Sequence, residues 1–233
     1  MNTKLLRQKI LDLAIRGKLT EQKKSDGTTK DLLKQIFSNV ILSNAKNPAE
    51  TAKSSRVILS KRSASKDLAK EIIPLDKSEA PFEIPENWEW VRLGDVGVWQ
   101  AGTTPSKANA LYYKGGTIPW LNTGDLTDGL VTDIPKMVTE KALKETSLKM
   151  NEAGSVCIAM YGATIGKLGI LNIPATTNQA CCVCNERVSF VEQKWLFYFL
   201  MLIRRNLLKR DLAELNRTFQ KKKLFLLFSP FLL

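Results

Sequence analysis

Histidine is absent from all 233 residues, and that absence removes whole classes of chemistry. Without an imidazole there is no Ser-His-Asp or Cys-His nucleophile, no histidine general base and no histidine-containing zinc site. An enzyme built on this chain would have to work with carboxylate, lysine or thiolate groups. Cysteine is scarce: Cys157, Cys181, Cys182 and Cys184 include three within four residues and no second cluster that would complete a tetrahedral metal site. They read as small apolar side chains on strands in a reducing cytosol. Acidic groups number 23 against 35 Lys plus Arg, a net charge of +12 that favours an anionic partner, nucleic acid or a membrane surface. Long apolar runs are also missing. Trp195 to Ile203 is nine residues and the last ten are greasy, both far short of the roughly 20 that a membrane helix needs. No apolar stretch of signal-peptide type follows the first basic residues, so the expectation is a cytoplasmic protein with no membrane span.

The residues that are present fall into zones. Residues 1–43 read as a helical segment: Leu5, Leu6, Ile10, Leu13 and Ala14 recur at helical spacing with Gly17 as terminator, and Leu32, Leu33, Ile36, Phe37, Val40 and Ile41 repeat the pattern after Thr29 as N-cap. Residues 44–80, rich in Ser, Lys and Ala, read as a basic linker. Residues 81–190 carry short β-type runs, 89–93, 96–100, 117–121, 155–160, 167–171 and 180–184, with one helix over 139–148. Ser189 and Glu192 form a capping-box pattern ahead of a long helix through Trp195, Phe199, Leu202 and Leu207 within residues 191–212. Residues 213–233 are an atypical tail. The fold class is therefore α+β, a mostly β domain flanked by an N-terminal helical segment and a C-terminal long helix. Charge divides along the same lines: residues 1–80 hold 17 basic and 9 acidic groups, 81–190 hold 9 and 11, and 191–233 hold 9 and 3. The β domain is thus slightly acidic, and the basic surplus lies outside it.

Three strings imitate catalytic motifs and fail on chemistry. Gly162 to Lys167 resembles a phosphate loop but is one residue short between its glycines, and Leu168 stands where a hydroxyl should hold magnesium. Asn47-Pro48-Ala49-Glu50 lacks the second proline and the aromatic that would stack a flipped adenine. Asp12 with Glu21-Gln22-Lys23 is more simply solvated charge at a helix end.

What remains is an ordered set of blocks without a catalytic constellation. Leu6 to Leu19 (LRQKILDLAIRGKL), Ile84 to Val96 (IPENWEWVRLGDV), Ala101 to Ser106 (AGTTPS), Tyr112-Tyr113, Thr117 to Leu126 (TIPWLNTGDL), Met160 to Ile173 (MYGATIGKLGILNI) and Ala175 to Ala180 (ATTNQA) follow one another in the chain. In this order they closely resemble the specificity subunits of type I restriction-modification systems. The resemblance implies that residues 81–190 are a target-recognition domain, that residues 191–212 are a spacer and dimerisation helix, and that the chain binds double-stranded DNA without doing chemistry. It implies methyltransferase partner subunits that carry S-adenosylmethionine and modify adenine, and a restriction subunit with ATP and Mg. No cofactor is expected on this chain. The competing readings are a degenerate truncated fragment without a working complex, and a stand-alone nuclease or methyltransferase.

Candidate DNA-binding residues follow from side-chain chemistry. Asn109, Asn122, Asn178 and Gln179 carry amides able to pair with an adenine edge, and Lys107, Lys114 and Lys167 suit phosphate or guanine. Tyr112, Tyr113 and Tyr161 can lie over sugars or bases. Tyr112 and Tyr113, next to Lys114 and two glycines, are the better surface candidates, whereas Trp120 inside an apolar strand reads as core. Asn178 has turn-holding as its alternative. Gly102, Gly162 and Gly166 either bring loops close to DNA or form ordinary turns.

The chain departs from the family in having one recognition domain where two are expected. A second copy paired through the long helix would restore twofold symmetry and read an interrupted palindrome. The tail also departs. Ala213 to Gln220 can be back-translated so that the neighbouring frame spells Gly-Thr-Gln-Pro-Asn-Ile-Ser-Lys, and Ser229 to Leu233 yields Pro-Leu-Pro-Pro at the same offset, both blocks typical of the family. The expectation is a frameshift between Arg204 and Ala213, with LFLLFSPFLL poorly packed.

Overall fold

The computed structural model describes residues 3–21, 27–29, 31–34, 72, 74–76, 78, 80, 82–187, 191–207 and 225–228. Among them the protein is α+β, with most strands between residues 89 and 187 and a long helix near the C-terminus. The chain divides into two compact units, one of Met1–Gly97, Arg187–Trp195 and Leu224–Leu233, the other of Val98–Glu186 and Leu196–Lys223. The linker expected over 44–80 lies mostly outside the described residues.

In the first unit, α1 (Thr3–Ile15) buries Ile15 and leaves Leu5, Leu6 and Ile10 exposed. It ends at Gly17, whose φ of 64° reverses the chain as the sequence suggests. The next helical residues are 29 and 31–34, and their cap is Thr28, one position before the expected Thr29. The Thr28 hydroxyl accepts from the Asp31 amide at 3.2 Å, while Thr29 is buried and its hydroxyl donates to the Asn87 carbonyl at 2.9 Å. Residues 35–43 of that expected helix lie outside the described residues. Strand β1 (Glu89–Arg92) pairs antiparallel with β10 (Phe225–Phe228), Glu89 opposite Phe228 and Arg92 opposite Phe225. The tail therefore supplies a backbone ladder at four residues where the sequence suggested no regular element. Its other residues from 213 to 233 lie outside the described ones. Trp88 is buried edge-on to Trp195 with centroids 6.5 Å apart, and Phe82 stands edge-on to Trp90 at 4.8 Å.

The second unit carries most of the apolar core. Its larger sheet has the order β2 (Gly97–Ala101), β9 (Cys181–Arg187), β6 (Val156–Ala159), β7 (Leu168–Leu171), β4 (Gly129–Val131). Every residue of β6 and β7 is buried, which explains why these segments read as continuous apolar runs rather than alternating ones. The smaller sheet places β3 (Ile118–Leu121) between β5 (Met137–Val138), antiparallel, and β8 (Thr176–Thr177), parallel. Leu121, Leu126, Val131, Ile134, Cys157 and Cys181 belong to one core cluster, and Trp120, Val138, Ala142 and Leu148 form a second. The expected helix over 139–148 is shorter, α2 (Glu140–Glu145). Thr139 caps it by accepting from the Ala142 amide at 3.2 Å, and Thr146 leaves the helix in an extended conformation.

Helix α3 (Gln193–Leu207) starts after the expected Ser189 cap, because residues 191 and 192 are not helical; Ser189 itself lies outside the described residues. Leu196, Phe197, Phe199 and Leu200 on it are buried and Tyr198 is exposed. Among the described residues no helix is long and apolar enough to cross a membrane.

Candidate nucleic-acid interface

All ten candidate residues fall in the second unit, and the structure sorts them by what their side chains already touch. Three chain segments cross at one node: residues 101–103 where β2 ends, the end of β3, and β8 with the turn after it. The Gly102 amide donates to the Cys181 carbonyl at 3.0 Å and the Thr103 amide to the Thr177 carbonyl at 2.9 Å. Across the parallel β3–β8 pair, the Asn178 amide donates to the Leu121 carbonyl at 2.9 Å. Gly102 is the residue that permits the crossing. A Cβ there would lie 2.2 Å from the Thr177 carbonyl oxygen and 2.3 Å from that of Asn178. Its role is close backbone approach, whereas Gly162 and Gly166, at φ 87° and 78°, make turns.

Asn122 and Asn178 meet at this node. The Asn178 Nδ2 donates to the Asn122 Oδ1 at 3.4 Å, and the Asn122 Nδ2 donates to the Trp120 carbonyl at 3.1 Å. The chain turns at Asn178, whose backbone carbonyl accepts from the Cys181 amide at 3.1 Å. The Asn178 Oδ1 and Thr177 Oγ1 are buried with no protein partner. An acceptor so enclosed is not presented to a base edge. Asn109 is likewise engaged, its Oδ1 accepting from the Leu111 amide at 3.1 Å to cap the 3-10 turn Ala110–Tyr112.

Tyr112 and Tyr113 differ from the expected surface pair. Both are half-buried against the Trp120 cluster. The Tyr112 hydroxyl donates to Glu145 at 3.3 Å and the Tyr113 hydroxyl to the Pro105 carbonyl at 2.5 Å. Tyr113 also stands edge-on to Trp120 with centroids 5.8 Å apart, and burial raises its phenol above the ordinary value. Trp120 is buried, as its apolar strand suggested, with Nε1 donating to the Thr103 carbonyl at 3.1 Å.

Lys107, Lys114, Lys167 and Gln179 remain exposed. Gln179 Oε1 accepts from the Thr104 hydroxyl, which ties the amide to the loop that carries Lys107. Tyr161 and Lys167 flank the turn between β6 and β7; Tyr161 is half-buried and desolvation raises its phenol. The base of the turn is closed by the Gly166 amide donating to Ala159 at 2.8 Å and the Ala159 amide donating to Lys167 at 2.9 Å. Sequence reasoning missed Thr103 and Thr104, although they lie in the AGTTPS block, and Asp128, which only its Asp-Gly turn dipeptide marks.

The four cysteines are free and buried, as a structural reading requires. Burial pushes the Cys182 thiol up to about 12, with the neighbouring Cys181 adding to the shift. No group of His, Cys, Asp or Glu that could hold a metal ion occurs among the described residues.

The family profile described as type I restriction modification DNA specificity domain matches residues 85–224. Among curated proteins, the EcoR124I/EcoR124II specificity subunit of Escherichia coli is 34% identical over 94 residues, 39% of this chain and 23% of that protein. The MjaIX specificity subunit of Methanocaldococcus jannaschii is 35% identical over 100 residues, 42% of this chain and again 23% of the relative. The matched region thus spans about a quarter of the length of these relatives. The crystal structure of the HsdS subunit from Thermoanaerobacter tengcongensis is similar at 18% identity, with a TM-score of 0.46 over 83% of this chain and 45% of that one. With the profile covering more than half of its residues, including the whole stretch from β1 to α3, the chain belongs to the type I restriction modification DNA specificity domain family.

Proposed function

We propose that this protein is a non-catalytic half-subunit that binds a specific double-stranded DNA sequence and presents it to partner subunits of a type I restriction-modification enzyme. The observation that carries the reading is the family match over residues 85–224, which includes all ten candidate residues. Methyltransferase subunits would bring S-adenosylmethionine and modify adenine, and a restriction subunit would bring ATP and Mg. A second copy paired through α3 would supply the other half-site.

Within the recognition unit the four exposed groups and the half-buried Tyr161 do the contacting. Lys107, Lys114 and Lys167 meet phosphate or guanine, Gln179 offers its amide to a base edge, and Tyr161 lies beside the backbone. Asn109, Asn122, Asn178, Tyr112 and Tyr113 hold the loops that present them. This division suits a domain with 9 basic and 11 acidic groups: a few placed cations serve where a broad basic field is lacking.

The test is DNA affinity against salt, measured by fluorescence anisotropy with the full chain and its methyltransferase subunit. Lys107→Ala and Lys114→Ala should each lower the slope of log affinity on log salt by about 0.9, the release of one condensed counterion, and leave thermal stability unchanged. Unaltered slopes for both variants would remove these lysines from the interface.

A further inference from the structure

Asp128 is the one non-glycine among the described residues with a positive φ, 60°, and it sits where β4 begins. A left-handed aspartate needs surroundings that hold it there. Its backbone amide donates to the Leu168 carbonyl at 2.8 Å, and its Oδ1 accepts from the Leu168 amide at 3.0 Å. The same Oδ1 accepts from Arg204 Nη1 on α3 at 2.6 Å. Lys167, the residue before Leu168, ends the turn that begins at Tyr161, and its side chain is exposed.

One carboxylate is therefore held by Arg204 and by the Leu168 amide, the amide that directly follows Lys167 in the chain. Burial acts to raise the Asp128 acid, but the Arg204 hydrogen bond, the Leu168 amide and the charges of Arg204 and Lys167 outweigh it and hold the carboxyl below its ordinary range. Arg204 makes a direct ion pair with the carboxylate in which both side chains are half-buried, and the Lys167 side chain is exposed. With Arg204 seated, the charge of Asp128 is already balanced, and the Lys167 ammonium is free for an outside anion. With Arg204 withdrawn, Asp128 keeps the Leu168 amide, and Lys167, the residue before Leu168, is a cation within a side chain's reach of the uncompensated carboxylate.

We infer that Asp128 is a positioning residue that makes the availability of Lys167 depend on the seating of Arg204 on α3. The DNA arm of the inference rests on the proposed function; the charge exchange does not. Any event that displaces the C-terminal part of α3 would draw Lys167 inward onto Asp128 and withdraw one cation from the candidate DNA face. Seating the helix would release it.

The experiment uses the full chain without DNA, then with it. Lys167 acetylation by an N-hydroxysuccinimide ester is followed by peptide mass spectrometry in wild type, Arg204→Ala, Asp128→Asn and the double variant. Arg204→Ala should lower Lys167 labelling several-fold, and adding Asp128→Asn should restore it, since asparagine keeps the acceptor for Leu168 and loses the charge. If Arg204→Ala does not fold, Arg204→Gln, which keeps a donor for Asp128 and loses the charge, takes its place: lower Lys167 labelling that Asp128→Asn restores fits, and unchanged labelling overturns the inference. Unchanged labelling in a folded Arg204→Ala, or no recovery in the double variant, also overturns it. With DNA, Arg204→Ala should lose about 0.9 of the salt slope, as Lys167→Ala does, and the double variant should regain it. Labelling that follows this pattern in a protein that binds no DNA would sustain the charge exchange and refute the proposed function.

Discussion

Trp120→Ala should cost about 3–5 kcal/mol of stability, a large part of what a domain of this kind has. The indole is buried among Val138, Ala142 and Leu148, stands edge-on to Tyr113 and donates to the Thr103 carbonyl at 3.1 Å. Truncation removes the apolar volume and leaves a cavity that α2 and β5 can fill only by moving. It also strips a carbonyl of its partner in the loop that leads to Lys107. The measurement is the urea midpoint by tryptophan-independent circular dichroism, with Leu111→Ala as control. Leu111 is 59% exposed, and its loss should shift stability by no more than about 0.5 kcal/mol. A Trp120→Ala variant within 1 kcal/mol of wild type would mean that this cluster is not part of the cooperative core.

Gly102→Ala should destabilise by about 3 kcal/mol, the upper end of what overpacking costs. The reason is contact rather than backbone freedom, since Gly102 does not have a positive φ. Its added methyl would meet the Thr177 carbonyl at 2.2 Å, the Asn178 carbonyl at 2.3 Å and the Thr177 hydroxyl at 2.3 Å. Two of these are backbone oxygens in or beside a strand and cannot rotate away. The hydroxyl belongs to a buried side chain. Gly124→Ala is the matching control, because nothing lies within 4 Å of its Cβ position and its stability should barely change. Equal stabilities for the two variants would refute the close crossing of the 101–103 segment over β8.

Much of this architecture was legible because several strands are buried throughout. The apolar runs at 155–160, 167–171 and 180–184 became β6, β7 and β9 within a few residues of their expected ends. Strands β4, β5 and β8 were not legible. At two or three residues each they are too short to show any period, and Thr176 and Thr177 look like turn residues until β3 is placed beside them. Helix starts slipped for a related reason: Thr28 and Thr29 are chemically the same cap, and only the burial of Thr29 against Asn87 separates them.

The candidate site was legible in residue type and not in exposure. Asn178 and Gln179 are adjacent amides in the turn after β8; one is folded into the node with Asn122, and the other is exposed and accepts from the Thr104 hydroxyl. Tyr112 and Tyr113 sit beside a lysine and two glycines, yet the cluster around Trp120 draws both rings inward. The Asp128–Arg204 pair spans 76 positions and leaves no mark in local sequence.

The net charge of +12 favours an anionic partner while pointing away from the residues proposed to read it, since the β domain alone is slightly acidic. The proposed specificity therefore rests on a few placed groups, and its consequence is visible in the genome of the host. Methylated adenines should be mapped by single-molecule sequencing in otherwise identical cells with and without this gene, each expressing the methyltransferase subunit. The account expects a methylated, interrupted motif that is present only with the gene, symmetric if two copies of the chain pair through α3. Identical methylation maps in the two strains, with the folded protein present in one of them, would contradict it.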